Sequence, residues 1–78
     1  MIIYSQDKSI RLRTDSITCY NIRPDGYSYV VDAIYRMGGV AQEAPYPLGK
    51  YSTVAGAQAA VNDIKTALKA KEKTFVMP

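Results

Sequence analysis

One segment of the chain has both the length and the periodicity of an α-helix, and it limits what the remaining residues can form. It runs from residue 52 to about residue 70, and its apolar side chains recur at steps of three and four. These are Ala57, Ala60, Val61, Ile64, Ala67 and Leu68. This spacing places them on one side of a helix with 3.6 residues per turn. The sequence therefore predicts one amphipathic helix at about 53–70 that buries a single face.

The start of this helix carries two further signals. Ser52 or Thr53 is the expected N-cap, because a hydroxyl oxygen accepts hydrogen bonds from the free amides of the first turn. Gly56 indicates either close packing of the helix on a sheet or an open backbone near an anion. The polar side chains opposite the apolar stripe predict a solvated face, formed by Gln58, Asn62, Lys65 and Lys69.

Before the helix, short β-rich runs alternate with turn signals. The runs cover residues 1–4, 9–13, 17–22 and 27–37. The first two are close enough to pair as a hairpin. In the longest run neither alternating face is polar, which predicts a central strand that is partly covered on both sides. Turn signals follow the third and fourth runs, at Arg23-Pro24-Asp25-Gly26 and at Gly38-Gly39.

Two less regular segments are also strand candidates. Residues 40–47 contain Pro45 and Pro47, which cannot donate to a strand ladder, so this segment is expected to be an edge strand, a bulge or a loop. Residues 74–77 follow the helix as a last strand, with Phe75 and Met77 facing the core. We expect this strand to add to a sheet edge or to a second chain.

These elements predict an α+β fold in a single domain that covers residues 1–78. Five or six antiparallel strands cannot bury both of their faces alone, and one helix covers one of them. The expected architecture is a curled antiparallel sheet of about five or six strands, with the helix packed on one face and a short C-terminal strand after it. Because one helix covers only part of such a sheet, uncovered Tyr and Ile side chains predict a homodimer interface.

The composition argues against most catalytic and metal chemistry. The 78 residues include no histidine and one cysteine, and neither a P-loop nor a Gly-x-Ser-x-Gly motif occurs. We therefore expect no enzyme, no cofactor and no metal site. Cys19 is expected to be a reduced, half-buried thiol, and the alternative is a disulfide-linked dimer.

Asp32 is the carboxylate that the pattern places in mid-strand among apolar neighbours. Its simplest explanation is a cross-strand ion pair with Arg11, Arg13 or Arg36. The alternative is hydrolysis by Asp32 with a second carboxylate, which requires the two groups to lie within about 10 Å of each other across a pocket.

Arginine and tyrosine supply the candidate binding residues. Ten Lys and Arg against seven Asp and Glu give a formal net charge of +3, and the chain has seven tyrosines. In single-strand nucleic-acid platforms, aromatic rings stack on bases and guanidinium groups follow phosphates. The candidates for such a platform are Arg11, Arg13, Tyr20, Tyr27, Tyr29, Tyr35 and Arg36, with Arg23 nearby. The alternative is that most of the rings simply cover the sheet.

Three short motifs resemble those of a known group of proteins. They are Ser5-Gln6-Asp7 after the first strand, Leu48-Gly49-Lys50-Tyr51-Ser52-Thr53 before the helix, and the closing Met77-Pro78. Together they are similar to the SQD turn, the LGxYxT run and the terminal MP strand of small uncharacterised phage and prophage proteins of Gram-positive bacteria. The resemblance spans the whole chain and implies a strand meander, one amphipathic helix and a terminal strand, with no activity to carry over.

The expected function is that of a non-enzymatic binding module of phage or prophage origin. It would act by protein–protein contact with a host protein, as an inhibitor of a host defence protein, through the edge at 40–47 and exposed tyrosines. The alternative is nucleic-acid or nucleotide binding through the Arg and Tyr face. No apolar run approaches the ~20 residues of a membrane span, and no signal peptide is recognisable, so we expect the host bacterial cytoplasm and no membrane.

Overall fold

A computed structural model of the chain describes residues 1–36 and 43–78. Along these residues the elements are β1 (Ile2–Tyr4), β2 (Arg11–Arg13), a 3₁₀ turn (Thr14–Ser16), β3 (Ile17–Asp25), β4 (Ser28–Arg36), β5 (Glu43–Tyr51), α1 (Val54–Lys69) and β6 (Thr74–Val76). The α+β class is confirmed, and the helix begins and ends within one residue of its predicted bounds. The hairpin turn predicted at Gly38-Gly39 lies outside the described residues.

The strands form two sheets of three strands each, so the prediction of one curled sheet is wrong. The small sheet has the order β2-β1-β6, and the large sheet has the order β3-β4-β5. β1 pairs antiparallel with β2, as predicted for a hairpin, but it pairs parallel with β6. The last strand therefore adds to a sheet edge, and the fold is not purely antiparallel.

β4 is the central strand of the large sheet, as predicted from two faces of which neither is cleanly polar. It pairs antiparallel with β3 on one side and with β5 on the other. The β3–β4 hairpin closes through Gly26 and Tyr27, and Gly26 has φ +62°, which glycine adopts at little cost. The reversal comes later than predicted, because Arg23, Pro24 and Asp25 still belong to β3. Pro24 fits there because a two-residue loop leaves its nitrogen directed away from β4.

β5 contains a bulge that keeps the side chains of Tyr46, Leu48 and Tyr51 on one face. Leu48 is an extra residue opposite the step between Val31 and Asp32 of β4. Strict alternation from Tyr46 through Leu48 would direct Tyr51 to the opposite face. With the bulge, all three side chains pack against the core. An edge strand was among the forms predicted for residues 40–47, and residues 43–47, which the structure describes, belong to one.

The core lies between the helix and the two sheets. Its buried side chains are Ile3, Leu12, Val31, Ala33, Leu48, Ala57, Ala60, Val61, Ile64 and Met77. Phe75 packs against this cluster beside Met77, as predicted. Both sheets and the helix thus bury their apolar sides against one another, which is what holds a chain of this size together.

The helix is positioned by its cap and by its apolar stripe. The hydroxyl oxygen Oγ1 of Thr53 accepts a hydrogen bond from the backbone N–H of Gly56 at 3.0 Å, so Thr53 is the N-cap. Five of the predicted stripe residues are buried, namely Ala57, Ala60, Val61, Ile64 and Ala67. Leu68 is the exception, with 40% of its surface exposed in the last turn of the helix.

The side chain of Gln6 joins the two sheets and the C-terminal residues. Its Oε1 accepts from the backbone N–H of Lys50 at 2.7 Å, and its Nε2 donates to the carbonyl of Pro78 at 2.7 Å. The backbone N–H of Gln6 donates to the carbonyl of Leu48 at 2.9 Å. Gly49 leaves room for this side chain, since a Cβ there would lie 2.9 Å from the Cδ of Gln6. The three motifs singled out in the sequence therefore meet at one point.

Ser5 and Asp7 hold Gln6 in place at the corner of the β1–β2 turn. The Oδ1 of Asp7 accepts from the Ser5 hydroxyl at 2.7 Å, from the Ser9 hydroxyl at 2.7 Å and from the Ser9 N–H at 3.0 Å. The Ser5 hydroxyl oxygen also accepts from the N–H of Ile10 at 3.1 Å. The SQD motif is thus a turn with a glutamine presented at its corner.

Gln6→Ala is expected to lower the free energy of unfolding by about 1–2 kcal/mol, because it removes both side-chain hydrogen bonds of Gln6. Urea denaturation measures the loss. Gln58→Ala is the matched control, since Gln58 is exposed on the helix and its replacement should stay within about 0.5 kcal/mol.

Gly49→Ala should also lower the free energy of unfolding, because the added methyl group would displace the side chain of Gln6 and break its hydrogen bonds. The double variant Gln6→Ala/Gly49→Ala is therefore expected to be about as stable as Gln6→Ala alone, since the displaced side chain is already gone. Urea denaturation of the three variants makes the comparison. Simple addition of the two single losses would contradict this role of Gln6.

Candidate interaction surface

The large sheet has an inner face, which packs against the helix, and an outer face, which is turned away from it. The inner face carries the side chains that contact the core: Ile17, Tyr20, Ile22, Tyr29, Val31, Ala33, Tyr35, Tyr46, Leu48 and Tyr51. Residues opposite each other on neighbouring strands share a face, and successive residues alternate. The outer face therefore carries Cys19, Asn21, Arg23, Asp25, Val30, Asp32, Ile34, Arg36, Glu43, Pro45, Pro47 and Lys50.

Ion pairs satisfy the charged groups of the outer face. They join Arg23 to Asp32 at 2.6 Å, Arg36 to Glu43 at 2.7 Å and Lys50 to Asp25 at 3.1 Å. The hydrogen bond from the Arg36 guanidinium, followed by one from the Thr18 hydroxyl, lowers the pKa of the Glu43 carboxyl. The outer face consequently presents charges of both signs and no large excess of either.

Asp32 forms the predicted kind of cross-strand ion pair, but its partner is Arg23 and not Arg11, Arg13 or Arg36. Arg23 lies diagonally across from it on β3 and on the same face. The Asp32 side chain is 4% exposed, and its Oδ1 is buried without a hydrogen-bond partner among the described residues. The half-exposed guanidinium of Arg23 therefore compensates a carboxylate that would otherwise be an isolated buried charge.

A groove of about 340 Å³ lies between the outer face and the turn at residues 5–10. Its apolar lining comes from Val30 and Leu48, which are buried, from Ile10, which is half-buried, and from Pro47, which is exposed. Its charged lining is exposed and comes from Asp7, Arg23, Asp25 and Lys50. An apolar surface bordered by charges is suited to holding an apolar side chain that has polar neighbours. Sequence reasoning missed this groove, although the SQD and LGK motifs that form its wall were both visible.

Asp7, in the wall of the groove, is held in its ionised form. Hydrogen bonds from the Ser9 side chain, the Ser5 side chain and the Ser9 backbone lower the pKa of Asp7 from 3.8 to about 2. Such a carboxylate is a hydrogen-bond acceptor and a poor proton carrier near neutral pH. Asp32, the residue considered for hydrolysis, does not line the groove.

The predicted tyrosines are divided between two places. Tyr20, Tyr29 and Tyr35 are half-buried on the inner face, where they pack against the core. Burial raises the pKa of Tyr20. The ring of Tyr35 meets that of Tyr46 edge-on, with centroids 5.7 Å apart. Tyr27 stands at the tip of the β3–β4 hairpin and is fully exposed. The structure thus does not gather these four rings on one exposed surface.

Of the predicted arginines, Arg11 and Arg13 lie together with one of the tyrosines. With Tyr35, Ile2 and Leu12 they line a depression of about 310 Å³ beside β2. Both arginines are exposed, and neither belongs to an ion pair within residues 1–36 and 43–78. Arg36 is elsewhere, on the outer face with Glu43.

Cys19 is exposed on the outer face, so the expectation of a half-buried thiol is wrong. An irregularity between Ile17 and Cys19 shifts the pairing with β4, and Cys19 then lies opposite Ile34. Simple alternation would place Ile17 and Cys19 on one face, but because of this irregularity they lie on opposite faces.

In the part of the chain that the structure describes, no three His, Cys, Asp or Glu side chains are grouped so as to hold a metal ion. Within the same residues, no helix has both the length and the apolar character needed to cross a bilayer.

Comparison with known proteins yields no relative. No protein-family model matches the chain, and neither a curated protein nor a solved structure does.

The folded protein is expected to lose stability in acid through Asp7. Because its folded-state pKa lies below the unfolded value of 3.8, ionised Asp7 stabilises the fold above that value, and the contribution disappears as the pH falls towards 2. Asp7→Asn lacks the charge at every pH. The stability difference between the wild type and Asp7→Asn should therefore shrink between about pH 5 and pH 2 in urea denaturation.

Ser9→Ala is the companion variant, since it removes the strongest of the hydrogen bonds that lower the Asp7 pKa. In the Ser9→Ala background, the stability difference between the protein that keeps Asp7 and its Asp7→Asn variant should therefore change less between about pH 5 and pH 2. A difference that stays constant over this pH range would mean that Asp7 is not held as described.

Proposed function

We propose that this protein is a non-enzymatic binding module that acts by protein–protein contact. Its partner is a host protein, and the protein is of phage or prophage origin, with inhibition of a host defence protein as its effect. The observation that carries the proposed contact is the groove on the outer face, where an apolar lining is bordered by charged side chains. The origin and the inhibitory effect rest on the resemblance of the SQD, LGKYST and MP motifs alone.

The groove has the features of a binding hot spot. Val30 is almost fully buried at its base, while Lys50 and Asp25 stand exposed beside it as an ion pair. In protein interfaces a small apolar centre contributes most of the affinity, and the surrounding polar groups exclude water and set specificity. An apolar side chain of the partner, flanked by charged residues, fits this description.

The outer edge of β5, which includes part of the contact expected at residues 40–47, is poorly suited to strand addition. Pro45 and Pro47 have no N–H to offer. The N–H of Lys50 and the carbonyl of Leu48 are already bonded to Gln6. We therefore place the contact on the outer face and not along this edge.

Lys50→Glu is expected to weaken capture of the host partner by about tenfold or more, because it reverses a charge at the border of the groove. The measurement is affinity capture from a nuclease-treated host lysate, followed by binding titration of the purified partner. Lys65→Glu is the matched control, since it makes the same charge change on the exposed side of the helix. Equal binding by both variants would exclude the groove as the contact.

Binding of a phosphate-bearing ligand, either a nucleotide or a single-stranded nucleic acid, is the second candidate function. The observation that favours it is the depression beside β2, where Arg11 and Arg13 stand next to the ring of Tyr35. Guanidinium groups that lack a carboxylate partner are available to phosphates, and a tyrosine ring can stack on a base.

Arg11→Ala/Arg13→Ala is expected to abolish binding of a fluorescent single-stranded oligonucleotide at low salt if the second function is correct. Wild-type binding should weaken steeply as salt is raised, because each phosphate contact releases a counterion. Arg36→Ala serves as the control, since Arg36 is paired with Glu43 away from the depression. Fluorescence anisotropy measures all three proteins, and absence of wild-type binding at low salt would end this candidate.

A further inference from the structure

We propose that two copies of this chain associate through β3, paired antiparallel with its counterpart. The three strands of each large sheet then form one continuous sheet about a two-fold axis at Asn21. This inference does not rest on the groove or on its partner, because it concerns the edge of the sheet and not the outer face.

β3 is a nine-residue strand with one open edge. Within residues 1–36 and 43–78 it pairs with β4 alone, and a two-residue loop makes Asp25 and Ser28 the first hydrogen-bonded pair of that hairpin. Every second residue of β3 from Asp25 then bonds to β4, and the residues between direct their backbone groups outward. Tyr20 and Ile22 are two of these, and within the described residues no other strand or loop bonds to their N–H and carbonyl groups.

The same alternation is verified on the opposite side of the large sheet. It predicts that Lys50, which lies opposite Val30, directs its N–H away from β4. That N–H is found bonded to the side chain of Gln6. Proteins seldom leave a long strand edge unpaired, since it recruits other strands. Among the described residues, the β5 edge carries two prolines and is bonded by Gln6, whereas the β3 edge carries one proline near its end and leaves the backbone groups of Tyr20 and Ile22 without a partner.

In one register of self-pairing, the outward-directed backbone groups of Tyr20 and Ile22 bond to the second copy, and their side chains meet favourable neighbours. With Asn21 opposite Asn21 of the second copy, Tyr20 faces Ile22 of the second copy, and Ile22 faces its Tyr20. Both of these are outward-directed pairs, so each exchanges two backbone hydrogen bonds. On the inner face they place an aromatic ring against a β-branched side chain, which is a favourable cross-strand combination. Each of these side chains is only half-buried in the monomer.

The outer face is compatible with the same register. Two Asn21 side chains meet at the axis, where their amides can bond to each other, and Cys19 faces Arg23 of the second copy, so no like charges are opposed. In the Asn21 register Pro24 lies opposite Thr18 of the second copy, so its missing donor falls outside the two central pairs. A shift of the axis to Ile22 would place Pro24 opposite Tyr20, so that missing donors flank a single fully bonded pair. A shift to Tyr20 would place Ile22 opposite Thr18, where the β3–β4 pairing is irregular.

Sedimentation equilibrium of the full chain is the first part of the test. The expected result is a mass that rises with concentration from 8.6 kDa to twice that value. A mass that stays at 8.6 kDa up to millimolar concentration overturns the proposal, and any partner strand at β3 would then come from another protein.

A disulfide trap tests the register. In a Cys19→Ser background, Asn21→Cys places two thiols directly opposite each other, at a spacing of about 4.5 Å between Cα atoms that a disulfide accepts. This variant should cross-link rapidly under mild oxidation, whereas Gln58→Cys in the same background, exposed on the helix, should not. The wild-type protein should cross-link slowly through Cys19, because Cys19 faces Arg23 of the second copy and not another cysteine. Equal rates for the Asn21→Cys and Gln58→Cys variants, or faster cross-linking through Cys19, overturn the proposal.

Discussion

A single glutamine side chain sets the relation between the two sheets. Both sheets contribute to one core, but apolar packing is non-directional and does not by itself fix how the two layers meet. Gln6 adds direction, because its amide has one acceptor and one donor end, and these reach Lys50 on β5 and Pro78 after β6. The groove wall, the closed edge of β5 and the place of the C-terminal strand all follow from this arrangement.

The fold was predictable where local pattern decides it. The helix was recognisable because its apolar spacing has a period that no strand shares, and β4 was recognisable as central because neither of its faces is cleanly polar. The division into two sheets was not predictable, since β1 and β6 lie at opposite ends of the chain and parallel pairing leaves no signature in neighbouring residues. The bulge at Leu48 was similarly hidden, because it appears in sequence only as lost alternation.

The functional surface was harder to predict than the fold. Alternation along β3 and β4 assigns residues to two faces, but it does not say which face the helix covers. The helix covers the tyrosine face, so Tyr20, Tyr29 and Tyr35 serve mainly as packing residues. The opposite face is turned away from the helix, and there Arg23 is half exposed while its partner Asp32 is buried. The groove joins two segments more than 40 residues apart in sequence, as the bond between Gln6 and Lys50 shows.

The position of β1 between β2 and β6 has a consequence for the order of folding during synthesis. The middle strand of the small sheet emerges first, yet its parallel neighbour at Thr74–Val76 is made about 70 residues later. At translation rates of about 5–20 residues per second, β1 waits several seconds with only a three-residue hairpin partner, which is marginal alone. The small sheet is therefore completed after the large one, when β6, the last strand to be made, pairs with β1, the first.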